Sequence, residues 1–328
     1  MSDPLPGAVV RSGKEPTSIA DAIIRLRAGR LVALPTETVY GLAGRTLDAA
    51  SIEQVYLAKG RPADNPLIAH VSSIEMARSL VSHWPEEADR LALVLWPGPL
   101  TVVLPKADSV PLVATGGRES IAIRIPAHSV ALEVIHRLGE PISAPSANRS
   151  GSLSPTEARH VLSEFVDLDL LVLDGGPCRV GLESTVVDLR GPKPTVLRPG
   201  VVTPDRLSAI LGVDVSMSEA AEQVDSPGTA TSHYAPSTPT RLCPATEAGG
   251  DDVAVISFDA HADPGTHPSS RFSVALPDDP ELVGSMLYAT LHAADLSRSN
   301  RIDVIPPPST PAWTAIHDRL QRAAAPRD

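Results

Sequence analysis

The sequence predicts an α/β protein in two parts, and three observations lead to this. Segments with helical spacing alternate with short apolar strand-like segments over residues 1–212, as in layered α/β folds. A second alternation follows a stretch rich in Ser, Thr and Pro, and the 328-residue length fits about two domains. We expect a domain over 1–212, a linker over 213–240 and a small α/β domain over 241–328.

The helices are predicted from apolar residues three or four positions apart, often between a capping residue and a glycine. They cover 18–29, 51–59, 85–95, 129–138, 156–165, 203–212, 282–296 and 313–325. Short apolar runs predict strands at 31–34, 67–71, 101–104, 121–125, 141–146, 170–173, 186–187, 196–197, 253–258, 272–276 and 302–305. In the strand at 121–125, period-two alternation places Arg124 on the face opposite the isoleucines.

Charge argues against a large nucleic-acid footprint. The chain has 28 basic and 39 acidic residues, a net charge of −11. Residues 1–212 hold 21 basic and 23 acidic residues, net −2, and residues 213–328 hold 7 and 16, net −9. We therefore expect no strong direct binding of nucleic acid.

Several classes of protein lack their sequence signals. Two cysteines, Cys178 and Cys243, make no disulfide framework, and neither CxxC nor HExxH occurs. There is no P-loop and no GxGxxG. The apolar stretch 91–104 is short and interrupted by Pro97-Gly98-Pro99, and the N-terminus lacks an apolar signal core. The predictions are no metal site, no membrane partner and a cytoplasmic location.

Loop segments of small and polar residues stand out at 35–42, 59–70, 143–148 and 183–188, with 197–200 behind the last. Segment 59–70 begins at a predicted helix end, and the others lie beside predicted strands. Ligands of open α/β sheets bind in such loops, although the same strings make ordinary turns. Lys59 and Arg61 suit either a phosphate clamp or a cation at a helix C-terminus. Arg124 and Arg198 lie in apolar strands and need either an anionic ligand or a structural carboxylate.

The strings PTETVYGL, KGRPADNPLIAH, WPGPLT, AIRIPAH, PISAPSANRSG, ESTVVD and LRPG, in this order, resemble the YrdC-type domain of threonylcarbamoyl-AMP synthases. The resemblance covers about residues 15–212. Ser226-Pro227-Gly228, His233-Tyr234-Ala235-Pro236 and the tail resemble the linker and small domain of the family's two-domain form. It implies an open twisted mixed sheet with flanking helices, plus a smaller Rossmann-like α/β domain.

The resemblance implies synthesis of threonylcarbamoyl-AMP from L-threonine, bicarbonate and Mg²⁺-bound ATP, with pyrophosphate as the second product. The product would pass to a threonylcarbamoyl-transferring machinery that modifies adenosine in tRNA. Lys59 and Arg61 are the implied catalytic residues, and both would also contact the nucleotide. The implied threonine-binding residues are Thr38, His70, Arg124, Ala144 and Ser184. The other implied nucleotide-binding residues are Asn65, Ser120, Ser146, Asn148, Ser154, Arg198, His233 and Tyr234.

One departure keeps alternatives open. The family usually carries Met-Lys and an Arg between SPG and HYAP, whereas this chain has Thr229-Ala230-Thr231-Ser232 and no cation there. A paralogue that binds nucleotide without turnover and an RNA-binding module both remain open. A carbamoyl-transfer enzyme of the hydrogenase-maturation type is disfavoured, because such chains carry extra domains and zinc-finger cysteines. We expect Lys59→Ala or Arg61→Ala to cut turnover with the fold intact, and Arg124→Ala to raise mainly the KM for threonine.

Overall fold

The computed structural model describes residues 7–218, 234–258 and 270–326. The helices are α1 (Pro16–Arg27), α2 (Ala49–Lys59), α3 (Ile74–Arg78), α4 (Glu86–Leu95), α5 (Ser129–Leu138), α6 (Ala158–Glu164), α7 (Pro204–Leu211), α8 (Pro280–Leu296) and α9 (Thr314–Ala324). The strands are β1 (Val9–Ser12), β2 (Val32–Leu34), β3 (Gly41–Arg45), β4 (Ile68–His70), β5 (Leu100–Pro105), β6 (Ser120–Arg124), β7 (Ile142–Ser143), β8 (Leu171–Asp174), β9 (Thr185–Asp188), β10 (Thr195–Arg198), β11 (Ser216–Met217), β12 (Thr240–Leu242), β13 (Val253–Ser257), β14 (Phe272–Ala275) and β15 (Arg301–Val304).

The first of two compact units contains a mixed sheet of eleven described strands. Their order is β1-β8-β2-β3-β7-β4-β6-β5-β9-β10-β11. The unit comprises residues 1–150, 155–179 and 183–229. The sheet contains both parallel and antiparallel strand pairs. β4 and β6 are parallel neighbours, and His70 of β4 is paired with Arg124 of β6. The sheet and its helices confirm the predicted mixed α/β class.

The second unit contains a parallel four-stranded sheet in the order β12-β15-β13-β14, together with α8 and α9. It comprises residues 230–328 and the short segments 151–154 and 180–182. The Asp279 side chain caps α8 by accepting hydrogen bonds from the next turn. The parallel sheet with its helices confirms the predicted second α/β layer.

The side chains of β6, in the sheet of the first unit, point alternately into two different apolar clusters. Ile121 and Ile123 of β6 belong to the large core cluster, together with Val102 of β5. Ala122 belongs to a separate small cluster with Ile68, Val103, Val186 and Leu197. Because side chains alternate along a strand, Ser120 and Arg124 share the face of Ala122. The predicted placement of Arg124 opposite the isoleucines is therefore confirmed.

The first helix begins earlier than predicted. Its N-cap is Glu15, Pro16 occupies the first turn, and Ser18 is buried inside the helix instead of capping it. Proline suits the first helical turn because its φ is already helical. The N–H groups of that turn have no partner within the helix, so the absence of an N–H from proline costs no hydrogen bond there.

Five elements were not predicted, namely β1, β3, α3, β11 and β12. The sequence of β3, GLAGR, contains two glycines and no period-two pattern. It forms a strand because β2 and β7 both pair with it. β11 is an edge strand of two residues, paired with β10 inside the stretch predicted as a linker. Pairing partners that are distant in sequence outweigh the local preference of such segments.

Candidate active site

The loop between β2 and β3 carries a chain of hydroxyl groups. The Thr36 hydroxyl donates to the Val39 carbonyl at 2.7 Å and lies 2.8 Å from the Thr38 hydroxyl. The Thr36 oxygen also accepts from the amides of Thr38 and Val39 at 3.1 and 3.2 Å, so either hydroxyl can be the donor of the pair. The Thr38 oxygen also accepts from Arg124 Nη1 at 2.9 Å. Thr38 is therefore a buried hydroxyl between Thr36 and Arg124.

Arg124, at the end of β6, is a buried cation held by this loop. Its Nη2 lies 3.3 Å from Glu37 Oε2, and both side chains are about 3% exposed. Burial lowers the pKa of Arg124, the Glu37 carboxylate opposes this shift, and the positive charge of Arg198 adds to it. Among the described residues, neither Arg124 Nε nor Glu37 Oε1 has a hydrogen-bond partner. A guanidinium with an unused donor suits a planar anion such as a carboxylate.

His70, at the end of β4, is fixed in one neutral form. Its Nδ1 lies 3.1 Å from the carbonyl oxygen of Ile68, which can only accept, so Nδ1 carries the hydrogen. Burial, with the positive charge of Arg124 adding to it, lowers the pKa of His70 to about 3. Its Nε2 is consequently an acceptor at neutral pH.

Ser184, just before β9, lies between Thr101 and Arg198. Its hydroxyl is 2.7 Å from the Thr101 hydroxyl and accepts from Arg198 Nη2 at 3.2 Å. Arg198 Nε and Nη2 also donate to the Ser184 carbonyl at 3.2 and 2.9 Å. Arg198 thus fixes the backbone that presents the Ser184 hydroxyl.

Lys59 is the last residue of α2 and is 2% exposed. Its Nζ donates to the Ser146 carbonyl at 2.6 Å and to the Asn148 carbonyl, and lies 3.4 Å from Asn148 Oδ1. Burial, followed by the nearby positive charge of Arg61, lowers the pKa of Lys59 well below its usual value. The structure thus directs all three ammonium hydrogens at loop 146–148, which Lys59 fastens to α2.

Gly60 separates Lys59 from Arg61 and ends α2 in the left-handed conformation, with φ at 59°. This C-cap turns the chain and places Arg61 against the following loop. Arg61 Nε donates to the Asn65 carbonyl at 3.1 Å, and Nη2 donates to Asn65 Oδ1 and to the Pro66 carbonyl. Arg61 and Asn65, predicted together, are therefore in direct contact.

Four further predicted residues lie in the described part of the chain, namely Ser120, Ala144, Ser154 and Tyr234. The Ser120 hydroxyl accepts from Arg190 Nη1 at 3.2 Å, and the Ala144 amide donates to the Ile68 carbonyl at 3.1 Å. Ser154 lies in a segment of the second unit. Tyr234, also in the second unit, is 1% exposed, with its ring 5.8 Å from Tyr288 and 5.4 Å from the Arg319 guanidinium.

His233 and the four residues that depart from the family pattern, 229–232, lie outside the described residues. The predicted role of the linker over the nucleotide therefore stays a prediction.

Sequence reasoning gave no role to Glu37, Thr36, Thr101 or Arg190, although each contacts a predicted residue. Glu37 could have been found from the sequence, because a carboxylate between threonines after a buried strand is a natural partner for a buried arginine. Nothing local points to Thr101 or Arg190, since their partners are more than sixty residues away along the chain.

In the described parts of the chain, no group of three His, Cys, Asp or Glu side chains could hold a metal ion. Among the same residues, no helix is both long and apolar enough to cross a bilayer. The Cys178 thiol is buried, and burial, with the Glu37 charge adding to it, raises its pKa.

Matches to known protein families cover both parts of the chain. A family model described as "Telomere recombination" matches residues 25–200, and one described as "Threonylcarbamoyl-AMP synthase, C-terminal domain" matches residues 202–325. The threonylcarbamoyl-AMP synthase of Bacillus subtilis is 38% identical over 325 residues, covering 94% of this chain and 93% of that protein. This chain belongs to the threonylcarbamoyl-AMP synthase family.

Further known proteins resemble this chain in sequence and fold or, for E. coli YciO, in fold alone. The Pyrococcus abyssi enzyme is 46% identical over 232 residues, covering 70% of this chain and 68% of that protein. The crystal structure of P. abyssi Sua5 complexed with L-threonine superposes with a TM-score of 0.84 at 35% identity, covering 97% and 96% of the two chains. E. coli YciO, at 22% identity and a TM-score of 0.52, shares the fold over 60% of this chain and 95% of its own.

Proposed function

We propose that this protein synthesises L-threonylcarbamoyladenylate from L-threonine, bicarbonate and ATP, releasing pyrophosphate, for N6-threonylcarbamoyladenosine formation in tRNA. It is thus a nucleotidyltransferase of tRNA modification. The observation that carries the proposal is the buried Arg124 guanidinium, held by Thr38 and Glu37 with one donor unused among the described residues. The family membership supports the same reaction.

The reaction needs no nucleophile from the protein. The amine of threonine and bicarbonate combine with loss of water to give a carbamate. A carbamate oxygen then attacks the α-phosphorus of ATP, and the bond to the pyrophosphate leaving group breaks. Holding the reactants in line can remove about 7–11 kcal/mol of such a barrier. Fixed cations and dipoles stabilise the charge that develops on the phosphates.

The threonine site is proposed around Arg124, which would bind the carboxylate. His70 Nε2 presents a lone pair that accepts a hydrogen from the substrate's hydroxyl or ammonium group, and the Thr38 hydroxyl offers the substrate a second hydrogen-bonding group. Ser184 and the backbone of Ala144 complete the proposed site. A ligand without the hydroxyl would leave a buried acceptor unpaired, which discriminates more strongly than a methyl pocket does.

The nucleotide site is proposed from residues of the loop between α2 and β4, the loop after β7, the end of β10 and the start of β6. Arg61 and Arg198 supply positive charge in this proposal. Lys59 acts through loop 146–148, because its hydrogens are directed at that loop. The other residues proposed to contact the nucleotide are Asn65, Ser120, Ser146, Asn148, Ser154, His233 and Tyr234.

Magnesium is proposed to arrive with ATP as part of the substrate. Mg²⁺ is commonly held by substrate phosphates with few protein ligands. The lack of a three-ligand cluster among the described residues fits an ion held mainly by the triphosphate. We place the reaction in the cytoplasm, where ATP and tRNA meet, and propose that a transferring machinery consumes the product.

The deciding experiment measures pyrophosphate release by the purified protein with Mg²⁺-ATP. L-threonine and bicarbonate are omitted one at a time. Release that requires both supports the proposal, whereas release without threonine, or none at all with ATP bound, contradicts it. Arg124→Gln should raise the KM for L-threonine more than that for ATP. Arg159→Gln, at a side chain 71% exposed, is the matched surface control.

A further inference from the structure

Glu37 is a buried carboxylate that the proposed mechanism does not yet use. It is 2% exposed. Its Oε2 accepts from the Ala127 amide at 2.9 Å and from Arg124 Nη2 at 3.3 Å. One oxygen therefore joins the loop after β2 to both the end of β6 and the chain that follows it.

Arg124 is held at two points by neighbouring residues of that loop. Nη1 donates to Thr38 Oγ1 at 2.9 Å, and Nη2 faces the Glu37 carboxylate. The Thr38 hydroxyl is itself tied to Thr36. Two contacts at different nitrogens fix the plane of a guanidinium, whereas one contact leaves it free to rotate.

The Glu37 carboxylate also balances the positive charge of the Arg124 guanidinium. Arg124 is buried, and the positive charge of Arg198 acts on it. A buried cation that loses its anionic partner is strongly unfavourable and moves toward other partners or toward water. Without Glu37, the Arg124 guanidinium would keep its hydrogen bond to the Thr38 hydroxyl and would have the positive charge of Arg198 nearby.

We infer that Glu37 is a positioning residue of the threonine site. It holds the Arg124 guanidinium, and the backbone at Ala127, in the geometry that receives the substrate's carboxylate. The inference rests on the proposed function and adds a residue to it. Glu37 acts through Arg124, so its effect belongs to threonine binding and not to ATP binding.

A double-mutant cycle tests the inference. The variants are Glu37→Gln, Arg124→Gln and the pair together, with Glu86→Gln, at a side chain 75% exposed, as the matched control. The KM for L-threonine, the KM for ATP and the melting temperature are measured for each. Glu37→Gln should raise the threonine KM at least tenfold and leave the ATP KM within twofold. The double variant should be no worse than Arg124→Gln, because a residue that acts through Arg124 has nothing left to hold.

Two results would overturn the inference. The first is an unchanged threonine KM, or an equal rise in both KM values, in Glu37→Gln. The second is additive losses in the double variant, which would show that Glu37 acts independently of Arg124. If Glu37→Gln does not fold, Glu37→Asp replaces it, with at least a threefold rise expected because its carboxylate is one methylene shorter. Failure of the proposed function is distinguishable from failure of this inference, because the wild-type protein itself would then show no threonine-dependent pyrophosphate release.

Discussion

Lys59→Met is the sharpest perturbation of the structure outside the threonine site. Methionine keeps the length and apolar stem of the side chain but removes the ammonium group. The Ser146 and Asn148 carbonyls then lose the donor that joins their loop to α2. We expect both the stability and the activity of the protein to fall.

The magnitude follows from the contacts. A hydrogen bond to a charged group contributes about 1.5–3 kcal/mol, so two such bonds contribute about 3–6 kcal/mol. Removing the buried ammonium also removes its desolvation cost, which places the expected loss near the lower end, at about 3 kcal/mol. The sequence led us to expect that Lys59→Ala and Arg61→Ala leave the fold intact. Because both side chains are buried, we now expect substitutions at these positions to lower the stability of the protein.

The assay is urea unfolding of the wild type and of Lys59→Met, together with pyrophosphate release. Lys193→Met is the matched control, because that side chain is 60% exposed and pairs with the exposed Asp214 at 3.2 Å. The control should change the free energy of unfolding by less than about 0.5 kcal/mol. A Lys59→Met protein as stable as the control, with full activity, would refute the fastening role.

Three further predictions concern other parts of the site. Since its pKa of about 3 in the folded protein lies below the ordinary histidine value of 6.5, His70 contributes stability above pH 6.5 that is lost as pH falls toward 3. The unfolding free energy of wild type relative to His70→Gln should therefore drop by about 2 kcal/mol between pH 6.5 and 5; parallel pH curves would contradict this. In Gly200→Ala, the new Cβ would meet the Thr185 amide nitrogen at 2.5 Å, so we expect loss of stability and of activity through the displaced Ser184. Gly191→Ala meets no described atom closer than 3.9 Å and should be neutral, and equal behaviour of the two variants in thermal melts would refute the steric reasoning. L-Serine lacks only the methyl group, so its kcat/KM for pyrophosphate release should be lower by about 10–200-fold, and no discrimination would exclude a methyl pocket.

Local sequence pattern predicted most of the regular elements of the fold and missed those that depend on distant partners. The helix over Ser129–Leu138 was predicted to the residue, because apolar spacing and a following glycine both mark it. β6 was predicted with the correct facing of Arg124, because alternation along a strand is a local property. β3 was not predicted, because its two neighbours in the sheet create it.

In the candidate site, too, the sequence predicted which residues take part, whereas their contacts depend on the folded structure. The motif strings identified Thr38, His70, Arg124, Ser184 and Arg198, and all five residues lie at the ends of strands or in the loops beside them. The tautomer of His70 and the partners of the Thr38 hydroxyl could not be predicted. Both depend on which carbonyl or hydroxyl lies within about 3 Å, and this is a property of the folded chain.

Sequence alone therefore established the α/β class, the two-part organisation as an expectation and the kinds of side chain that the chemistry requires. These follow from periodicity, composition and motif order, which are local or statistical properties of the chain. The tertiary structure decided that Lys59 is turned toward loop 146–148 and that Glu37 holds Arg124. Lys59 lies 87 residues from Ser146 along the chain, and Glu37 lies 87 residues from Arg124. Such contacts arise when distant strands pair and bury charged groups, each of which must then find a partner.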